Sequence, residues 1–238
     1  MTEKIVILTG AGLSAESGLG TFRDEGGLWA QHRIEDVATP EGFSRDPALV
    51  HAFYNARRQQ AATATPNAAH DALARLQKKW PGDVIIVTQN VDGLHEKAGA
   101  TAIHMHGILT GALCAACDHR WPAPPEMSPR VMCPTCGAPA ARPDIVWFGE
   151  IPYHMEEIDS HLQDCAIFAA IGTSGQVYPA AGFVVEAARA GAETVELNLD
   201  RTETSRAFAS HHIGPATDIV PNWVDSLLTG GARRLPIV

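Results

Sequence analysis

Four of the five cysteines fall in two pairs, Cys114-x2-Cys117 and Cys133-x2-Cys136, separated by fifteen residues. Each pair can offer two thiolates to one side of a tetrahedron, and Pro134 and Gly137 supply tight-turn chemistry; the spacing is that of a zinc ribbon. Four thiolates leave no ligand position for water, so the expected zinc is structural and any reaction belongs elsewhere. Cys165 reads as a buried thiol beside a core strand. A second constellation is Gly10-Ala11-Gly12, with Ala15 at the third position of a dinucleotide fingerprint. Glycine there lets the backbone approach a pyrophosphate, and a helix start supplies N–H donors. A plain strand–helix turn is the alternative. The dehydrogenase layout also needs a second strand ending in an acid about 20 residues on. Residues 32–40 hold no such apolar run, so a dinucleotide site of another layout is expected. Thr88-Gln89-Asn90-Val91-Asp92 offers amides and a carboxylate to a sugar hydroxyl and an amide-bearing ring, or else caps a loop. His104 and His106 stand two apart, and on a strand both would point the same way. Histidine suits general-base work near neutral pH; His95 and His104 read as structural.

These groups need elements to hold them. Ile5-Val6-Ile7-Leu8, residues 83–87, 166–171 and 194–197 are short apolar runs, each passing into polar residues. Continuous apolar strands of this kind belong to a parallel sheet covered on both faces, where ligands sit beyond the carboxyl ends. Helical patterns lie at 67–79 and 182–190, with a closing helix at 223–228. The expected fold is α/β: a Rossmann-like parallel-sheet domain with a smaller zinc-binding and helical domain inserted. The large lobe takes 1–31, 76–111 and 142–238 of the single 1–238 domain; inserts at 32–75, helical with 51–62 clearest, and 112–141, the zinc ribbon, form the small lobe.

Composition bounds the function. The chain has 238 residues, 45% hydrophobic and 19% charged, which suits one globular domain with an insert. With 18 basic against 27 acidic residues the net charge is −9, so nucleic acid is not an expected partner. There is no run of about 20 apolar residues and no signal-peptide pattern, so no membrane association and a cytoplasmic location are expected.

The opening Gly10-Ala11-Gly12-Leu13-Ser14-Ala15-Glu16-Ser17-Gly18 with Thr21-Phe22-Arg23-Asp24 resembles that of the sirtuins. Thr88 to Asp92, His106-Gly107, the cysteine pairs, Val146-Trp147-Phe148-Gly149-Glu150, Gly172-Thr173-Ser174 and Asn198 follow in that family's order. The likeness is greatest to the bacterial CobB-type branch, class III, with its succinyl and malonyl preference. The resemblance implies an NAD-dependent protein-lysine deacylase that yields nicotinamide and O-acyl-ADP-ribose, with acylated lysine on proteins as substrate and NAD and one structural zinc as cofactors. It implies that Gly10, Ala11, Gly12, Ala15, Glu16, Thr21, Phe22, Arg23, Asp24 and Trp29 line the NAD loop. Gln89, Asn90, Val91 and Asp92 would form the nicotinamide and ribose pocket, and Gly172, Thr173, Ser174, Asn198, Leu199, Asp200 and Ala216 the adenosine end. His106 would be the general base. Tyr54 and Arg57 would bind an acidic acyl group, with Ala38 keeping the pocket wide, and Val146, Trp147, Phe148 and Gly149 would pair as a strand with the substrate peptide, opposite 175–178. Core packing is the alternative for Trp147 and Phe148. Gly175-Gln176 departs from the Ser-Leu of many relatives. A mono-ADP-ribosyltransferase, which shares the first chemical step, is the nearest alternative; a nucleotide-holding zinc module and an NAD oxidoreductase are further ones.

Overall fold

The structure is a computed structural model that describes residues 3–20 and 32–230. Its strands in chain order are β1 (Ile5–Thr9), β2 (Val84–Thr88), β3 (Ala102–His104), β4 (Gly107–Cys114), β5 (Arg120–Pro122), β6 (Ala141–Ile145), β7 (Ile167–Ile171), β8 (Glu193–Asn198) and β9 (Ser210–Ile213). Six of them form one parallel sheet in the order β3-β2-β1-β7-β8-β9. β1 is buried along its whole length, as a β-branched central strand covered on both faces must be. Its side chains alternate: Ile5 and Ile7 enter one core, Val6 and Leu8 the other.

The helices are α1 (Ala11–Ala15), α2 (Ile34–Val37), α3 (Pro40–Arg45), α4 (Pro47–Thr63), α5 (Ala68–Lys79), α6 (Leu94–Lys97), α7 (Met155–Asp164), α8 (Phe183–Arg189) and α9 (Ala216–Leu228). α5 and α9 cover the first core and α7 and α8 the second. The apolar stripe Ala69, Ala72, Leu73 and Leu76 sets α5 whole against the sheet, so the boundary expected at 75 cuts through a helix that packs with the large domain. Its N-cap, Asn67, also donates Nδ2 to Leu13 O at 2.9 Å and to Ser17 Oγ at 3.0 Å, tying α5 to α1. The closing helix begins at Ala216, earlier than the expected 223.

The remaining strands form a second, antiparallel sheet in the order β5-β4-β6. It begins at Gly107 and ends at Ile145, wider than the expected 112–141, because β4 and β6 pair along their length rather than only beside the cysteines. α4 starts at Pro47, four residues before the expected 51, because Asp46 Oδ1 caps it by accepting from Leu49 N at 2.9 Å and proline suits the first helical position. α4 is stitched to the second sheet by buried Arg58, which donates Nε to Leu109 O at 2.7 Å, and by Asn55, which exchanges two hydrogen bonds with the Met127 backbone. Val37, Ala38, Val50, Phe53, Tyr54, Val91, Leu109, Ile145 and Trp147 close a third core between these parts.

Candidate active site

The order of the large sheet reverses between β1 and β7, and the carboxyl ends of both strands carry glycine turns. In such sheets the crevice at this point takes the ligand. Gly172 sits at φ +61, a backbone that favours glycine. Cβ atoms added at Gly10 or Gly12 would lie 2.7 Å from Gly172 O and 2.8 Å from Gly172 Cα. The three glycines are therefore required first by the contact of two turns. Gly12 N–H is spent on Gly172 O at 2.9 Å, and α1 is only five residues long. That bond fastens one turn to the other.

Ser14, 2% exposed, sits at the centre of the crevice wall. It donates Oγ to Asp92 Oδ2 at 3.0 Å and accepts from Asn90 Nδ2 at 3.1 Å; Asn90 Nδ2 also donates to Gly10 O at 3.0 Å. Asp92 Oδ1 accepts from Leu94 N at 3.0 Å. Asn90 and Asp92 are brought together as expected, through a serine inside the glycine motif that carried no role in the sequence reading. Val91 points away into the third core, and its carbonyl accepts from Leu109 N at 2.8 Å.

The two histidines separate cleanly. His106 lies in the turn after β3, not on a strand. Its Nδ1 is 3.1 Å from Gln89 O. A carbonyl only accepts, so Nδ1 carries the proton and Nε2 keeps its lone pair. Burial lowers the His106 pKa, with the Gln89 bond opposing, so the ring is neutral near pH 7. That is the state of a general base. His104 meets Asn90 O through Nδ1 at 3.1 Å and Glu96 Oε1 through Nε2 at 3.1 Å. Burial pulls its pKa down, but the bond to Glu96 and its charge outweigh this and the net direction is up. Both its nitrogens are engaged, which fits a structural ion pair. Gly107, at φ +80, lets the chain pass tightly against Asp144 directly after His106.

At the other end of the crevice Asn198 Nδ2 donates to Thr173 O at 2.6 Å and Asn198 Oδ1 accepts from Leu199 N at 3.1 Å. Ser174 Oγ accepts from Gln176 N at 3.3 Å. Leu199 and Asp200 are exposed beside them. Glu16 accepts from Thr217 N and Oγ1, which anchors the first turn of α9 beside half-buried Ala216. A small cleft lies between Gln89, Thr173, Gly175, Val177 and Thr204. Ala11 opens α1 and Ala15 ends it. Thr21, Phe22, Arg23, Asp24 and Trp29 lie outside the described residues.

Across His106 stands the third core. Tyr54 is 1% exposed, and burial pushes its pKa up to about 12, so it stays a phenol. Arg57, one helical turn on, lies over the Phe53 ring at 5.9 Å and feels the charge of Asp92. Burial lowers its pKa, yet a guanidinium keeps its charge. Ala38 is buried in the same cluster. In the segment after β6, Val146 N donates to His106 O at 3.0 Å, Trp147 N to Glu150 Oε2 at 2.8 Å and Phe148 N to Ala38 O at 3.0 Å. These three bonds tie the segment to the rest of the site. Trp147 is 2% exposed and turned into the core; Phe148, 46% exposed, and Gly149, at φ +91, are the surface of the segment.

The four cysteine sulfurs lie within 4.8 Å of one another, with Cys114–Cys136 at 3.6 Å and Cys117–Cys133 at 3.7 Å. A tetrahedron with Zn–S bonds of about 2.3 Å has edges of about 3.8 Å. Ala116 N and Thr135 N each point at a sulfur at 3.4 Å, which suits thiolates. These residues fit a structural zinc. β4 carries Cys114 at one end and Gly107, next to His106, at the other; eight residues at about 3.3 Å each put the metal roughly 20 Å from the base.

Comparison with known proteins agrees with this geometry. Residues 10–179 match the model of the Sir2 family. The chain is 51% identical over 230 residues to an NAD-dependent protein deacylase of Caulobacter vibrioides, covering 94% of this chain and 97% of that one. It is 53% identical over 231 residues to an NAD-dependent protein deacylase of Escherichia coli K12, covering 95% and 83%. A solved Sir2 homologue mutant in complex with ADP-ribose superposes with a TM-score of 0.89 at 33% identity over 99% of this chain and 96% of that one. A Sir2 homologue in complex with NAD gives 0.89 at 33% identity over 96% and 91%. With the Rossmann-like sheet, the four-cysteine cluster and the neutral His106 in place, the chain belongs to the Sir2 family.

Proposed function

We propose that this chain removes acyl groups from protein lysines at the expense of NAD, with succinyl and malonyl preferred over acetyl. The observation that carries the reading is the His106 ring, held neutral through Gln89 O, with no hydrogen-bond partner for Nε2 among the described residues, next in sequence to Asn90 through that same Gln89. NAD, when bound, supplies a ribose carbon that loses nicotinamide and receives the acyl oxygen of the modified lysine. The chain's part is binding and proton transfer. Ser14, Asn90 and Asp92 hold the shape of the nicotinamide end, and Asn198 and Thr173 that of the adenosine end. His106 Nε2 takes a proton from a ribose hydroxyl, and the Gln89 carbonyl keeps the ring in the tautomer that can do so. The zinc would brace the small lobe. Phe148 and Gly149 face the substrate peptide.

The acyl preference rests on Tyr54 and Arg57. A half-buried guanidinium near a protonated phenol, set among apolar side chains, suits a carboxylate better than a methyl group. A cytoplasmic location is part of this reading: no cysteine is joined in a disulfide, as suits a reducing compartment. Among the described residues no helix is long and apolar enough to cross a membrane.

Incubation with NAD and matched succinyl- and acetyl-lysine peptides, with mass spectrometry of all products, tests this. The expected products are nicotinamide, free lysine and O-acyl-ADP-ribose; a peptide that gains ADP-ribose instead overturns it in favour of a transferase. A hydrogen bond to a charged group is worth about 1.5–3 kcal/mol. Arg57→Met should therefore lower the succinyl-to-acetyl ratio of kcat/KM by about 10- to 150-fold. An unchanged ratio would remove the acyl preference and leave the deacylase reading standing.

A further inference from the structure

We propose that Trp147 is a positioning residue for acyl specificity: its indole N–H fixes the Tyr54 hydroxyl so that the hydroxyl's one proton is presented to an acceptor in the acyl pocket. The inference rests on the acidic-acyl reading of Tyr54 and Arg57 and names the device that enforces it.

Trp147 Nε1 lies 3.0 Å from Tyr54 Oη, and both groups are buried. An indole nitrogen only donates, whereas a phenol has one proton and two lone pairs. Tyr54 must therefore accept from Trp147, and its own proton must point elsewhere. Among the described residues, Trp147 is the hydrogen-bond partner of this hydroxyl. A hydroxyl fixed in this way has its proton available for a ligand carboxylate. Arg57 supplies the matching positive charge.

The indole is itself clamped. The Arg142 guanidinium carbon lies 3.5 Å from the centre of the Trp147 ring, and Phe43 packs against that ring at 5.2 Å. Arg142 is held by both oxygens of Glu150, at 2.6 and 2.9 Å, and donates to Ile145 O at 2.8 Å. Glu150 Oε2 also accepts the backbone N–H of Trp147, at 2.8 Å. Glu150 thus binds both the cation on the ring and the backbone that carries the ring. Core packing alone requires only an apolar side chain here; it does not require that the indole N–H be aimed at the Tyr54 hydroxyl.

The test is a double-mutant cycle with Trp147→Phe and Tyr54→Phe, measuring kcat/KM on succinyl- and acetyl-lysine peptides with NAD. Trp147→Phe should lower the succinyl-to-acetyl ratio by about 3- to 10-fold, mainly through the KM of the succinyl peptide. In the Tyr54→Phe background it should have no further effect on the ratio. Equal losses on both peptides, or a full effect without the Tyr54 hydroxyl, would overturn the proposal. A wild-type enzyme with no succinyl preference would instead overturn the acyl reading beneath it. If Trp147→Phe does not fold, as judged by its melting curve, benzothienylalanine at 147 keeps the ring shape, removes the N–H and is read in the same way.

Discussion

At the carboxyl end of the large sheet most polar groups are bound to one another. Gly12 N–H goes to Gly172 O, Asn90 to Gly10 O and Ser14, Ser14 to Asp92, Asn198 to Thr173 O and Glu16 to Thr217. The third core across from it is built in the opposite way. It packs Val37, Val50, Phe53, Val91, Leu109 and Ile145, and its polar content narrows to Tyr54, Trp147 and Arg57. In the first region shape comes from a network in which each group satisfies a neighbour, so losing one strands others. In the second, apolar packing sets the shape, and under the proposed acyl reading two or three donors choose the ligand. The crevice should therefore respond to substitution as a unit, and the third core one donor at a time.

The largest effect should come from the element that supports both regions. β4 joins Gly107, beside His106, to Cys114, and α4, which carries Tyr54 and Arg57, is stitched to the same sheet. Metal binding to four thiolates is coupled to folding and contributes on the order of 10–16 kcal/mol in small zinc modules. Cys114→Ser should lose the one zinc per chain and most soluble yield. Elemental analysis and thermal melting check it, and a metal-free variant with wild-type stability would show that the small lobe stands without the cluster.

Next in size is the base. His106→Ala should keep zinc and melting temperature while deacylation falls by about 10²–10⁴-fold. His104→Ala should instead lower the melting temperature, since that ring holds Glu96 and the Asn90 carbonyl. Equal losses of turnover in the two variants, at equal stability, would reverse their assignment. In the wild type, kcat/KM should fall as pH drops through the His106 pKa, which burial places below the ordinary 6.5, because protonation removes the Nε2 lone pair.

Much of this was legible from residues alone, for local reasons. The β1 run is apolar and β-branched without interruption, and nothing but a strand buried on both faces suits it. The cysteine spacing names its own geometry. The choice between His104 and His106 was not contained in their spacing; it depends on what the second ring nitrogen of each one meets, Glu96 in one case and open crevice in the other. Trp147 shows the same limit. An aromatic residue beside Phe148 reads equally as peptide wall or core, and only the Tyr54 and Arg142 contacts, from residues 93 and 5 positions away, decide it. The glycine motif alone points to room for phosphate; its contact with Gly172, distant in sequence, shows only in the fold. The α5 stripe showed a helix but not which layer it would join.

The smallest predicted effect concerns the root of the crevice network. His95 is 1% exposed, with Nε2 3.0 Å from Thr9 Oγ1. Thr9 Oγ1 donates to Thr88 Oγ1 at 2.9 Å, and Thr88 Oγ1 accepts the Asn90 N–H at 3.0 Å. Thr9 can then accept only from His95, so the proton sits on Nε2 and Nδ1 keeps a lone pair, without a partner among the described residues. Burial, aided by the His70 ring 5.3 Å away, pulls the His95 pKa down to about 3. Burial lowers that of His70 as well. In the unfolded chain a histidine titrates near 6.5. Between about 6.5 and about 3 the unfolded state therefore binds a proton that the folded state refuses, and stability falls as pH falls. The slope is about 1.4 kcal/mol per pH unit for such a residue once pH is well below 6.5. His104 acts in the other direction: its raised pKa contributes stability that is present in acid and lost as pH rises through the folded value, so it opposes the decline. Urea unfolding at pH 7.5, 6 and 5 should show stability dropping with acid. His95→Gln, which cannot titrate, should start less stable at pH 7.5 because the Thr9 bond is disturbed, and should lose less on going to pH 5. A variant that keeps the wild-type slope would place the acid sensitivity in another group and leave His95 as packing alone.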